Sequence, residues 1–300
     1  MILSKTNEAA HKRLSLLIFG LPKVGKTTLA KTLPVSDDSK LLYINADPGQ
    51  IALRDREFTM ASAPNGKLSE EFFDEVLEHI RTQGKNYEWI FVDGVDEVAQ
   101  AILKSKLQTQ RDARKAYGEM AEYVEGWMKA IRDVEGISVV FVTHIEQEEI
   151  GEGEVQFIPQ FPGKKIQSQV DAWFDLVGCM RLVKDSEGTW KRCIQFRREA
   201  DARYVVGDRS GVTSLYEEPD LGNLFRKIHD AGYETRGTWI DPLPTAEDFK
   251  ALAGMAKTHG VEKGEVEALA QKMFAKGVLE VTSGEMSQLM GQISVRSVKS

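Results

Sequence analysis

The sequence predicts an α/β fold followed by a small helical module, and three observations carry that expectation. The run Leu14-Ser15-Leu16-Leu17-Ile18-Phe19 reads as a short buried strand. It leads into Gly20-Leu21-Pro22-Lys23-Val24-Gly25-Lys26-Thr27-Thr28, after which residues 28–33 have helical spacing and stop at Pro34. Further apolar runs alternate with amphipathic stretches as far as residue 231, whereas the pattern beyond Pro244 is wholly helical.

A strand, then G-x-x-x-x-G-K-T, then a helix is the setting that a Walker A phosphate loop requires. Such a loop turns its backbone N–H groups inward around phosphate oxygens, and the helix start adds the positive end of its dipole. In this reading Gly20, Leu21, Pro22, Lys23, Val24 and Gly25 form the cradle. Lys26 reaches the β- and γ-phosphates, the Thr27 hydroxyl holds Mg²⁺, and Thr28 donates to the α-phosphate. The competing reading is a glycine-rich βα turn that happens to carry Lys-Thr; the strand before and helix after favour the phosphate loop. The expected ligand is a nucleoside triphosphate.

Composition narrows the remaining classes. At 300 residues the chain suits one large domain or a main domain with a small companion. No apolar run reaches the length of about eighteen residues that a membrane helix needs. Residues 1–13 are polar and lack the apolar core of a signal peptide, so a cytoplasmic location is expected. Cys179 and Cys193 lie in strand-like segments without metal-ligand spacing, which predicts buried thiols; a disulfide stays open until geometry is known. A net charge of −7 argues against a surface that binds nucleic acid everywhere, so any such contact must use a local basic patch.

Residues 40–47 read as a second buried strand, ended by Pro48-Gly49. Asp47, at that strand end, is a candidate general base for an attacking water or simply a turn cap. Residues 68–83 carry an amphipathic helix closed by Gly84, with His79 in a structural place. Trp89-Ile90-Phe91-Val92-Asp93 then has the Walker B pattern, in which Asp93 supports Mg²⁺. Asp96 and Glu97 follow, and either could activate water instead of Asp47. Residues 95–134 read as two helices broken around 110–118, where Arg111, Arg114, Lys115 and Tyr117 form either a solvated connector or a nucleic-acid contact.

Residues 137–144 form a fourth buried strand ending in Thr143 and His144, which are placed to sense a γ-phosphate or to satisfy a strand end. Residues 145–169 lose periodicity: acidic first, then Phe157, Phe161, Lys164 and Lys165 among prolines and glycine. Long loops inside compact domains are usually functional, and aromatics beside lysines suit stacking on bases. Residues 172–182 and 189–198 read as a hairpin about a turn at 185–188. Its cations, Lys184, Lys191, Arg192, Arg197 and Arg198, with Arg203 just after, are either a basic patch or alternating charges on a solvated face. One more strand and turn at 204–211 and a helix at 221–231 complete a domain of residues 1–236. Residues 237–244 have the composition of a linker. Residues 245–300 hold three short helices, opened by a Thr245–Asp248 capping box, whose apolar stripes make their own core.

The run from Phe19 to Thr28 resembles that of phage-encoded RecA-like ATPases. So do Trp89 to Asp93, the Val142-Thr143-His144 strand end, and Pro162-Gly163-Lys164-Lys165 before Phe174-Asp175, over residues 14–230 in all. The resemblance implies a RecA-type P-loop core: a mostly parallel sheet with helices on both faces and an extra strand between the Walker A and Walker B strands. It implies an ATPase of DNA recombination that acts on single-stranded DNA with single-strand-binding protein, as a homo-oligomer or filament. It places Asp47 where the family carries a catalytic glutamate. It matches residues 145–169 and 110–118 to two DNA-binding loops, and sets Arg209 where a basic residue reaches a neighbouring subunit's nucleotide. The last module is similar to small C-terminal modules of phage recombination proteins.

The expected function is therefore a Mg²⁺-dependent ATPase that binds single-stranded DNA. Two further readings use the same loop. One is a nucleotide-dependent module that turns over little and recruits a partner, favoured by the shorter Asp47. The other is an AAA+ loader or helicase subunit, which usually carries a nucleotide-sensing arginine in a helical lid; residues 241–293 contain none. A small-molecule kinase would need an arginine-rich lid, and no such stretch stands out.

Overall fold

Ser15–Gly20 is buried at all six positions, as a central parallel strand covered on both faces must be, and forms β1. The structure, a computed structural model, describes residues 13–151, 153–184, 188–199, 203–231, 246–274, 276–281, 286, 289–290 and 293. The chain divides into two units, residues 1–234 and 235–300. In the first, β1 is followed by a 3₁₀ turn over Thr27–Thr32 and then by β2 (Leu41–Asn45), β3 (Thr59–Ser62) and α1 (Glu70–Gln83). Next come β4 (Trp89–Asp93), α2 (Val95–Thr109), α3 (Ala113–Arg132), β5 (Ser138–Glu149) and β6 (Val155–Pro159). A short α4 (Lys164–Gln167) leads to β7 (Leu176–Lys184), β8 (Trp190–Gln195), β9 (Gly207–Asp208), β10 (Tyr216–Glu217) and α5 (Leu221–Ala231).

The strand order is β10-β8-β7-β1-β5-β4-β2-β3, with β6 beside β5 and β9 beside β7. From β3 to β7 all six neighbours run parallel; β6, β8, β9 and β10 pair antiparallel. β5 is the extra strand between the Walker A strand β1 and the Walker B strand β4, so the α/β sheet has the predicted architecture. Strand alternation sends Leu17 and Phe19 of β1 to one core layer and Leu16 and Ile18 to the other. Helices α1, α2 and α3 cover the first layer through Phe73, Ile102 and Trp127. The 3₁₀ turn and α5 cover the second through Leu29 and Leu221.

Several local expectations are corrected. The helical spacing after the phosphate loop is realised as a 3₁₀ turn, because Leu33 goes extended (φ −65°, ψ 138°) ahead of Pro34. The helix break is only residues 110–112: the Asp112 carboxylate accepts from the Arg114 N–H and starts α3, so Arg114, Lys115 and Tyr117 are helical. Residues 145–169 are not a loop. β5 continues to Glu149 and turns back as β6, a hairpin hidden in the sequence by glutamates, which strands usually avoid. Phe161 is 2% exposed and belongs to the core, and Phe157 stacks on Tyr204 with ring centroids 4.9 Å apart. Lys164 pairs with Glu148 at 3.4 Å and Lys165 with Glu122 at 3.5 Å. The strand expected at 204–211 is reduced to β9, and β10 was not anticipated. Cys179 and Cys193 are both buried free thiols, raised by burial to about 12 and about 11.

The second unit contains α6 (Ala246–Thr258), α7 (Lys263–Phe274), a 3₁₀ turn at Val278–Glu280, and helical residues Met286, Leu289, Met290 and Ile293. Leu252, Val266, Leu269, Ala270, Met286, Leu289 and Ile293 bury one another there. The predicted linker at 237–244, the Thr245 cap, residues 185–187 of the hairpin turn and residues 1–12 lie outside the described residues. Among the described residues no helix is long and apolar enough to cross a membrane.

Phe141, fully buried in the middle of β5, lies between Trp127 and Phe174, with centroids 6.5 and 5.4 Å away. Phe141→Ala is expected to lower the unfolding free energy by about 3–5 kcal/mol, read from the urea midpoint.

Candidate nucleotide-binding site

Parallel pairing brings the ends of three strands to one edge of the sheet. Gly20 at the end of β1 lies opposite His144 of β5, and Asp93 at the end of β4 lies opposite Val142. The loop between β2 and the next turn is tied to the same edge, because the Ala46 and Asp47 N–H groups both donate to the Asp93 carbonyl at 3.0 Å. The phosphate loop therefore starts beside Asp47, Asp93 and His144.

Within the loop Lys23 (φ 62°) and Gly25 (φ 111°) adopt left-handed backbone; a side chain at Gly25 would be strained there. Lys26 curls back over the loop and donates through Nζ to the Gly20 carbonyl (2.8 Å) and the Leu21 carbonyl (2.9 Å). It is 8% exposed, and burial lowers its pKa while Asp93, Asp96 and Asp47 oppose the shift. Leu21, Pro22, Lys23 and Thr28 are exposed, whereas Val24 is buried.

Asp93, 2% exposed, accepts two short hydrogen bonds at Oδ2, from Thr27 Oγ1 and from the Tyr43 hydroxyl, each 2.6 Å. Burial raises its pKa; the Thr27 and Tyr43 hydrogen bonds and the Lys26 charge oppose that rise, and Asp47 adds to it. The Thr27 hydroxyl and the Asp93 carboxylate are hard oxygen donors that suit Mg²⁺, which usually takes one or two protein ligands and completes its shell with phosphates and water. Space is kept for an ion by Gly49. A Cβ there would lie 2.9 Å from Thr27 Oγ1 and 3.5 Å from Asp93 Oδ2. Among the described residues no group of three or more His, Cys, Asp or Glu could hold a metal unaided.

Beside this pair lies a second polar cluster. His144 Nδ1 is 2.7 Å from Asp96 Oδ2, and its Nε2 is 3.8 Å from Asp47 Oδ2. Asp96 is 1% exposed, and among the described residues its Oδ1 has no hydrogen-bond partner, so the imidazole contact at Oδ2 is the one its side chain makes there. The Asp96 hydrogen bond holds the His144 pKa above its ordinary value against the opposing effect of burial. Burial, with Asp96 and Asp47 nearby, raises Glu97. The Thr143 hydroxyl is committed elsewhere: it donates to the Gln160 carbonyl at 2.8 Å. Of the two γ-phosphate sensors expected, His144 is the one facing the other site groups.

Arg209 is not brought to this edge. It follows Asp208, which pairs with Leu176 at the start of β7, and its guanidinium donates to the Ala172 carbonyl. That is the opposite end of the sheet from Gly20. Tyr43 and Gly49 escaped the sequence reading. The signal for Tyr43 was a lone hydroxyl inside the buried run Leu41–Asn45, and for Gly49 a glycine two residues beyond a candidate base.

A family model described as an AAA domain matches residues 12–209. No curated protein matches the chain. Among solved structures, a prototypical ATPase from the type III secretion system of pathogenic bacteria is 13% identical with a TM-score of 0.43, covering 96% of this chain and 83% of that one.

Because Asp96 raises the His144 pKa, their pairing contributes stability that is full below pH 6.5 and is lost as pH rises through the raised value. NMR titration of the imidazole is expected to give a midpoint above 6.5. Asp96→Asn is expected to bring it down. An unchanged midpoint would remove the pairing.

Proposed function

We propose that this chain, which belongs to the AAA domain family, is a Mg²⁺-dependent ATPase whose cycle is coupled to single-stranded DNA. The observation that carries the hydrolytic part is the convergence of Lys26, Thr27 and Asp93 with Asp47, Glu97 and His144 at one sheet edge. Lys26 exchanges the Gly20 and Leu21 carbonyls for β- and γ-phosphate oxygens. Thr27 and Asp93 would hold Mg²⁺, which when bound would neutralise phosphate charge. His144, oriented by its hydrogen bond to Asp96, which also raises its pKa, holds the γ-phosphate.

Two carboxylates can take the proton of the attacking water. Asp47 is fixed by its backbone bond to the Walker B strand, and Glu97 has the elevated pKa that suits a general base. Asp47→Asn and Glu97→Gln are made separately. The base is the one whose loss lowers kcat by about 10²-fold or more.

The DNA-binding part follows the resemblance to phage recombination ATPases acting in the cytoplasm with single-strand-binding protein. Supporting it is a cleft of 680 Å³ between α2 and the β5–β6 hairpin, lined by Gln100, Lys104, Glu146, Gln147, Gln160 and Phe161 and flanked by exposed Lys164, which pairs with Glu148. Arg209, exposed at the far end of the sheet, suits a head-to-tail oligomer in which one subunit's far edge meets the next subunit's nucleotide. An AAA-type loader or helicase subunit is the second reading, favoured by the family match itself; a recruiting module with little turnover is the third.

Lys26→Ala is expected to abolish turnover, and wild-type turnover to rise with single-stranded DNA. Turnover indifferent to DNA would shift the assignment to the loader or recruiting reading. Lys164→Ala with Lys165→Ala is expected to weaken DNA binding and flatten its dependence on salt. Unchanged affinity and slope would free the start of α4 from that role.

A further inference from the structure

The β7–β8 hairpin overhangs the phosphate loop on the side away from β4. β7 pairs with β1 only as far as Met180, opposite Gly20, and then continues to Lys184 against β8. Strand alternation puts Met180, Leu182 and Lys184 on one face, with Ile194, Arg192 and Trp190 directly opposite on β8. This face looks onto the loop. A Cβ built on Gly25 would lie 3.2 Å from Met180 Cε and 3.4 Å from Arg192 Nη1.

Three other cations of the hairpin region are engaged. Arg181 donates to Gln195, Arg197 donates to the Gly211 carbonyl, and the Lys184 ammonium lies 5.2 Å over the Trp190 ring. The Arg192 side chain is exposed and, among the described residues, makes no hydrogen bond or ion pair. A cation with no carboxylate partner among the described residues, beside the left-handed glycine of a phosphate loop, is arranged for an anion.

We infer that Arg192 is a phosphate-binding arginine supplied by the same chain as the loop. Its planar fork of donors suits phosphate oxygens. It contacts the nucleotide's phosphates from the β7–β8 side, while Thr27 and Asp93 act from the β4 side and Lys26 from between them. The inference rests on the nucleotide-binding reading of the site and adds a group that the loop motif does not contain.

The test is calorimetric titration of the full chain with MgATP and with AMP, for wild type, Lys26→Ala and Arg192→Ala. Arg192→Ala is expected to weaken MgATP binding about 10- to 100-fold, the range of one hydrogen bond to a charged group. The loss for AMP is expected to be smaller, and the ligand-free melting temperature unchanged. A structural role would not change the ratio of ATP to AMP affinity. Wild-type MgATP affinity in Arg192→Ala, alongside lost binding in Lys26→Ala, overturns the inference alone. No MgATP binding by wild type overturns the nucleotide reading and the inference with it. Should Arg192→Ala melt lower, Arg192→Gln, which keeps the aliphatic stem, is read by the same criteria.

Discussion

One buried carboxylate holds the candidate site together. Asp93 takes hydrogen bonds from a residue of the phosphate loop, Thr27, and from a residue of the neighbouring strand, Tyr43, on a single oxygen. Its own carbonyl accepts from Ala46 and Asp47. Three segments distant in sequence thus meet at one residue. Leaving a buried carboxylate unpaired costs several kcal/mol, so each of these partners is under strong constraint. The position of Asp47 beside His144 follows from that junction, and so does the space over Gly49 in which a cation fits.

The sheet explains why such a junction forms here. In a parallel sheet every strand delivers its last residues to the same edge, so the polar ends of β1, β4 and β5 are gathered by topology alone. Insertion of β5 between β1 and β4 is what places His144 next to Gly20 while leaving Asp93 within reach of Thr27. Antiparallel β8 continues past that edge, and this overhang brings a residue as remote as Arg192 over the loop.

Legibility in the sequence tracked burial. β4 matches Trp89-Ile90-Phe91-Val92-Asp93 residue for residue, because a strand covered on both faces is apolar at every position and ends where polarity returns. The phosphate loop was readable for a similar reason: its glycines and lysine answer to one ligand geometry. The β5–β6 hairpin was not readable, since Glu146, Glu148 and Glu149 look outward on both faces and carry no periodic apolar signal. Tyr43 was masked because its hydroxyl interaction depends on a partner fifty residues away. Arg192 looked like one cation in a basic cluster. Only pairing distinguishes it from Arg181 and Arg197, and pairing is a three-dimensional property.

The way Lys26 is held bears on how tightly anions can be gripped. Its ammonium is bonded to two carbonyls of its own loop, so an incoming phosphate acquires it by swapping acceptors, with no gain in the number of hydrogen bonds. Net attraction then arises from the difference between a neutral and a charged acceptor. Such a loop acts as a charge discriminator: weakly basic or neutral oxygens cannot outcompete the backbone, and only a highly charged ligand turns the exchange in its favour. Selectivity for polyphosphate over the abundant neutral solutes of a cell would then be built into the resting geometry of a single side chain.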